Sequence, residues 1–254
     1  MLIDSHCHID IDAFDHDRDR VISNAIALGV EKMIVPAIDA KSWDKLLKIC
    51  AQNTSLYPAL GLHPIFHANH QPSDLQRLEQ YVAKYHPIAI GEIGLDYFID
   101  DVEETCQLYY LQHQLKIAQK YDLPVILHVR KAHDQMLNTL QRIRVKGGVC
   151  HAFNGSLQQA KKYIDLGFKL GFGGMLTYAR STRLRKLAGE LPLNAIVLET
   201  DAPDMTVFSH HGERNSPEFL PDCLFALATL RNLPPDHIAA VTAQNTRDIF
   251  ELNF

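Results

Sequence analysis

The sequence predicts a single-domain α/β protein, a (β/α)8 TIM barrel carrying extra C-terminal helices. Three observations point there: eight short Val/Ile/Leu-rich runs recur along the 254 residues, amphipathic stretches of helical period lie between them, and several runs are apolar throughout. The third observation separates parallel from antiparallel sheets. Strands buried on both faces are continuously apolar, as "EKMIVPA", "LPVILH" and "AIVLET" are, whereas a half-solvated strand alternates. Eight such units in one chain read as a closed parallel barrel.

In order, the expected strands are Leu2 to Ser5, Lys32 to Pro36, Tyr57 to Leu60, Ile88 to Gly91, Val125 to Leu127, Gly148 to Cys150, Lys169 to Phe172 and Ile196 to Glu199. Each is bounded by Gly, Pro or Asp, residues that suit turns better than strand interiors. Helical periodicity places Asp17 to Leu28, Ser42 to Gln52, Ser73 to Tyr85, Glu104 to Tyr121, Asp134 to Arg144, Leu157 to Leu166 and Arg180 to Gly189 between them. Two more helical patterns follow, Glu218 to Leu230 and Pro235 to Phe250, separated by "LPPD". Pro235 suits a first helical position, where its missing N–H would find no partner anyway. No linker, low-complexity tract or repeat other than the βα period interrupts the chain, so residues 1–254 read as one domain.

Composition narrows the class. With 46% hydrophobic and 22% charged residues the chain is globular, and no apolar stretch approaches the roughly twenty residues of a membrane span. The N-terminus lacks a basic region followed by a long apolar segment, which leads to the expectation of a cytoplasmic protein without a membrane partner or an obligate protein partner. The five cysteines (Cys7, Cys50, Cys106, Cys150, Cys223) are scattered without a C-x-x-C pair, so neither a disulfide framework nor a zinc knuckle is indicated. A net charge of −5 argues against bulk electrostatic coating of nucleic acid. It leaves room for a nuclease, because bound cations would supply the local attraction for phosphate.

Barrel chemistry is carried where strands hand over to their following loops. At that edge this chain places His6 and His8 after the first strand, Glu92 at the end of the fourth, His128 after the fifth, His151 after the sixth and Asp201 after the eighth. His6 and His8 alternate, so in a strand both imidazoles share a side that Cys7 does not. Any one of these residues alone would serve equally well as a hydrogen-bonding loop residue. Six polar groups converging on one mouth make sense chiefly around a cation. They exceed one tetrahedral shell, which leads to two divalent metal ions sharing a carboxylate, for which Glu92 is the best bridge. Zn, Mn, Fe, Co and Mg all remain compatible with the ligand types.

The segments "DSHCHID", "GLHP", "GEIGLDY", "LPVILHVR", "CHAFNGS", "LETDAPDM" and "RNSP" together resemble the TatD family of metal-dependent hydrolases in the amidohydrolase superfamily, over nearly the whole chain. The resemblance implies a divalent-metal-dependent phosphodiesterase, a deoxyribonuclease trimming strands from the 3′ end. Carried over by position, His6, His8 and Asp201 would hold one metal, His128 and His151 the other, and Glu92 would bridge. Glu92 stands where the superfamily's carbamylated-lysine variant has Lys. Family members often carry a second His soon after the Pro of "GLHP", where this chain has Ile65.

On this reading Asp201, with Glu92, carries catalysis by orienting water and taking its proton. Glu199 would share a face with Asp201, either supporting the ligands or closing an ion pair in the barrel interior. His63 and Arg130 are the candidate substrate contacts, with Arg214 a more remote one, and each has an ordinary structural alternative. Tyr178 and Phe153 follow strands and would either stack on a base or pack in the core. The expected substrate is nucleic acid, single-stranded DNA or 3′ ends. The competing readings are a metallo-amidohydrolase acting on a small amide, lactone or aminoacyl ester, and a non-catalytic metal-binding scaffold.

Overall fold

A computed structural model describes residues 1–99 and 103–253. Strands β1 (Leu2–Asp4), β2 (Val30–Pro36), β3 (Leu56–Leu60), β4 (Ala89–Asp96), β5 (Val125–Arg130), β6 (Gly148–Cys150), β7 (Phe168–Phe172) and β8 (Ile196–Leu198) pair in sequence order, each parallel to the next. Between them run α1 (Arg18–Ala27), α2 (Trp43–Ala51), α3 (Pro72–Tyr85), α4 (Glu104–Lys120), α5 (His133–Arg142), α6 (Leu157–Asp165) and α7 (Thr182–Glu190), with α8 (Leu220–Arg231) and α9 (Pro235–Phe250) after β8. This is the (β/α)8 barrel with added helices that the pattern predicts. Among the described residues no helix is long and apolar enough to cross a membrane.

Local chemistry explains several boundaries. Ser156 accepts from the Gln159 N–H while the Gln159 side chain accepts from the Ser156 N–H, a capping box that starts α6. Prolines open α3 and α9 at their first helical positions, where no N–H is needed. Between β8 and β1 individual contacts replace the ladder: Ser5 N–H donates to the Leu198 carbonyl (3.0 Å) and Asp201 N–H to that of His6 (2.9 Å). The buried Asp4 carboxylate accepts from the Thr200 N–H at 3.0 Å and its hydroxyl at 2.5 Å, which ties the two strand ends together. Burial pushes the Asp4 carboxyl up to about 7 in spite of these hydrogen bonds.

Side chains two apart on a strand share a face, and this period builds the barrel interior in layers. Ile126 lies two residues before His128, Val149 two before His151, and Val197 two before Glu199. Ile34, Ala59, Ala89, Ile126, Val149 and Val197 form an apolar plug against which Phe250 and Leu252 pack. The polar residues sit above it. On β7 and just after it, Gly171 and Gly173 clear space for a neighbour: a Cβ at 171 would lie 2.1 Å from Glu199 Oε2, and one at 173 would lie 2.8 Å from the Glu199 carbonyl oxygen.

Four strand C-termini differ from expectation. β1 stops at Asp4 and β8 at Leu198, each one residue early, whereas β4 and β5 run on to Asp96 and Arg130. The β4 to β5 ladder shifts register between Ile90 and Ile93 and then resumes up to the pair Asp96 and Arg130. Glu92 and His128 therefore lie within their strands rather than at or past their ends. Replacing Phe250, 3% exposed, with Ala should cost about 3 to 5 kcal/mol in urea unfolding. A loss below about 1 kcal/mol would show that the plug does not depend on it.

Candidate metal centre

Glu92 occupies the middle of the barrel mouth, its N–H bonded to the Ala37 carbonyl at 3.0 Å. His6 and His8 lie just beyond β1 in a segment held on both sides, Cys7 N–H donating to Ile34 (3.1 Å) and His8 N–H to Ala202 (2.8 Å). Asp201 follows β8 with φ of 58°, a left-handed conformation that Asp adopts more readily than most residues. The six residues expected as ligands are thus brought together, and His63 joins them.

They form two donor groups on opposite oxygens of Glu92. Around Oε2, the His6 Nε2 lies at 3.3 Å and the His8 Nε2 at 3.4 Å; these nitrogens are 3.2 Å apart, and Asp201 Oδ1 stands 3.4 and 3.7 Å from them. An ion held at roughly 2.1 Å by four tetrahedral ligands separates those ligands by roughly 3.4 Å, so this set has the right size for a divalent cation. Around Oε1, His151 Nε2 lies at 2.8 Å, His128 Nδ1 at 3.1 Å and His63 Nε2 at 3.2 Å.

The electrostatics match. Burial alone would raise the Glu92 carboxyl, but the neighbouring imidazoles of His63, His151, His6 and His128 hold it well below the usual carboxylate range. Burial disfavours charge on His8 and His151, yet Glu92 and Asp201 lift them to about 9 and about 10. Positive charge is therefore demanded at this spot, and neutral imidazole nitrogens with carboxylate oxygens are the donor chemistry of Zn, Mn and related ions.

Hydrogen bonds at the far ring nitrogens decide which residues are free to ligate. His8 Nδ1 donates to the Pro36 carbonyl (3.1 Å) and His128 Nε2 to Asp96 Oδ2 (2.9 Å), so each turns a lone pair toward Glu92. His63 is the reverse. Its Nδ1 accepts from the Ile65 N–H (3.1 Å), and burial lowers its pKa to about 4, so the neutral ring carries its proton on Nε2, aimed at Glu92. In this arrangement His63 points a donor at Glu92, and with Glu92 and His128 it also offers three ligand atoms close enough to share a cation. Its place here depends on Ile65 for a backbone N–H, not a side chain.

Asp96 and Asp4 were not singled out from the sequence. Asp96 orients His128, and the only sequence signal is a carboxylate four residues after Glu92 on the same strand. Glu199 supports His151: its Oε1 accepts from Ala152 N–H (2.5 Å), bracing the turn that carries His151, and lies 4.0 Å from His151 Nδ1. Burial pushes the Glu199 carboxyl up to about 8.

Arg130 stands on the rim with its guanidinium 3.7 Å from the centroid of the Phe98 ring. Arg214 is committed to Asp17, which it grips at 2.7 and 2.9 Å, and does not reach the centre. Phe153 is fully buried against Tyr163 and Phe172, so it packs and does not stack on a base. Tyr178, 6% exposed, bonds through its hydroxyl to His211 Nδ1 (3.1 Å).

The family model described as TatD related DNase matches residues 3–251. The chain belongs to the TatD family. It is 41% identical to the uncharacterized metal-dependent hydrolase YjjV of Escherichia coli K12, with 98% of each chain covered. The crystal structure of that TatD homologue superposes with a TM-score of 0.96 over 99% of this chain and 98% of the other, at 41% identity. The 3′-5′ ssDNA/RNA exonuclease TatD of Salmonella typhimurium is 30% identical, covering 95% of both chains. As a TatD-family member, the protein is a metal-dependent hydrolase.

Asp96→Asn should weaken cation binding by about 10- to 100-fold in calorimetric titration, because it loses the carboxylate that fixes the His128 ring. His63→Ala should leave the number of bound cations unchanged. A lost cation in the His63 variant would make His63 a ligand.

Proposed function

We propose that the protein hydrolyses phosphodiester bonds of nucleic acid, removing nucleotides from single-stranded DNA or 3′ ends, with two divalent cations shared through Glu92. The observation that carries this is the pair of donor groups on opposite oxygens of one carboxylate, with His6, His8 and Asp201 on one side and His128 and His151 on the other. The name of the Salmonella relative, a single-strand exonuclease, supports the substrate class. The cleft beside the centre is lined by Arg130, Arg180 and Arg183, which favours an anionic diester over a small neutral amide or lactone.

Bound divalent cations supply Lewis acidity, acidifying water and neutralising the phosphoryl group. The protein's own residues do the rest. Asp201, its side chain 14% exposed beside the cleft, orients the attacking water and accepts its proton. His63 holds a proton on Nε2 that can hydrogen-bond a phosphoryl oxygen as charge builds there. Asp96 holds the His128 ring in one orientation, and Arg130 adds positive charge at the rim.

With Mg, Mn or Zn supplied, 3′-labelled single-stranded DNA should be shortened from its 3′ end, and EDTA or Glu92→Ala should abolish the reaction. Asp201→Asn should lower kcat by on the order of 10² to 10⁴ with a smaller change in KM. Full activity in Asp201→Asn would remove its role, and the absence of metal-dependent cleavage of any nucleotide diester would favour the amide reading.

A further inference from the structure

From His128, His151 and Asp201 a cleft of about 700 Å³ runs sideways to the start of α7, within the range of small-molecule sites. Much of its lining is apolar, with Phe172, Met175, Leu184, Leu187 and Met205 contributing. Arg180 and Arg183 flank Ser181 and Thr182 along the part formed by the α7 start.

Two features mark these arginines. Among the described residues neither is paired with a carboxylate, whereas Arg18, Arg20 and Arg214 each hold an aspartate. Both are nonetheless held in place: the Arg180 guanidinium lies 5.3 Å from the Tyr178 ring centroid, and Arg183 donates to the Asn154 carbonyl at 3.2 Å. The Ser181 side chain does not cap α7, so the first-turn N–H groups add their partial positive charge beside the two guanidiniums. Asp201 and Asp204 are the carboxylates of the lining, and Asp201 is engaged at the metal centre. Besides the end of β5 and the segment after β6, the loops after β7 and β8 line the cleft, the place where barrels frequently bind phosphate.

We infer that this cleft is a second-phosphate subsite: its apolar lining takes a nucleoside, and Arg180, Arg183 and the start of α7 hold a phosphate one nucleoside away from the bond being cut. This rests on the phosphodiesterase reading above and adds a selectivity to it. The second phosphate has two possible sources, a phosphate on the terminal nucleoside or the next phosphate of a continuing strand. Guanidinium pairs bind either one in the same way.

The test uses two chromogenic pairs with Mn supplied. One is the p-nitrophenyl ester of thymidine 5′-phosphate with and without a 3′-phosphate; the other is the p-nitrophenyl ester of thymidine 3′-phosphate with and without a 5′-phosphate. In each, water oxygen bonds to phosphorus and p-nitrophenolate leaves. The added phosphate should raise kcat/KM on the order of tenfold in one pair, mainly through KM. A gain in the first pair identifies a terminal phosphate as the source, and a gain in the second a continuing strand. In R180A/R183A that ratio should fall to about one, and R180K/R183K should retain much of it. Thermal melting establishes that both variants are folded. Equal rates with and without the added phosphate in both pairs, or a gain that survives in R180A/R183A, would overturn the subsite. Failure to hydrolyse either one-phosphate ester would instead overturn the phosphodiesterase reading.

Discussion

The Glu92 carboxylate is buried with imidazole nitrogens of His6, His8, His63, His128 and His151 between 2.8 and 3.4 Å from its oxygens. An ionised carboxylate in such a place costs several kcal/mol unless positive charge meets it. Four strands, β1, β3, β5 and β6, and the segments after them bring those imidazoles, and the barrel is shaped to let them approach. Gly61 has no side chain because a Cβ there would lie 2.6 Å from the Gly91 carbonyl carbon, and one at Gly91 would lie 2.6 Å from the Cβ of Ile126. The peptide before Glu92 is thus squeezed between β3 and β5, at the point where the β4 ladder changes register.

The layers beneath give that carboxylate its rigidity. An apolar plug closed by Phe250 and Leu252 excludes water from below, while the Asp4 and Thr200 contacts hold the β1 and β8 ends, and with them His6 and Asp201, in one register. Roles among the histidines then follow from backbone contacts remote from the centre. A carbonyl at Pro36 leaves the His8 Nε2 lone pair free for a cation beside Glu92, and an N–H at Ile65 makes His63 a donor toward Glu92. Two chemically identical rings are given opposite tasks, one suited to holding a cation and the other to meeting charge that develops on substrate.

Much of this was legible in the sequence because it depends on period and order. Apolar runs in a fixed rhythm indicate the barrel, and the barrel rule then brings His6, His8, Glu92, His128, His151 and Asp201 to one mouth from positions up to 195 residues apart. What stayed hidden depends on contacts between strands. Asp96 reaches His128 only because β4 and β5 continue past a register shift, which no run of apolar residues reveals. That His63 sits against Glu92 itself was hidden too, because it depends on a short 3-10 turn after Pro64 that presents the Ile65 N–H to its ring. Phe153 follows a strand as a base-stacking residue would, yet the neighbouring helix α6 supplies Tyr163 to bury it.

The shared carboxylate is the central claim, and anomalous scattering from crystals grown with Mn or Zn tests it most directly. The account predicts two peaks, one among His6, His8 and Asp201 and one beside His128 and His151, each adjacent to a different oxygen of Glu92. A single ion with a complete shell of its own, leaving one Glu92 oxygen bound only to protein, would contradict it.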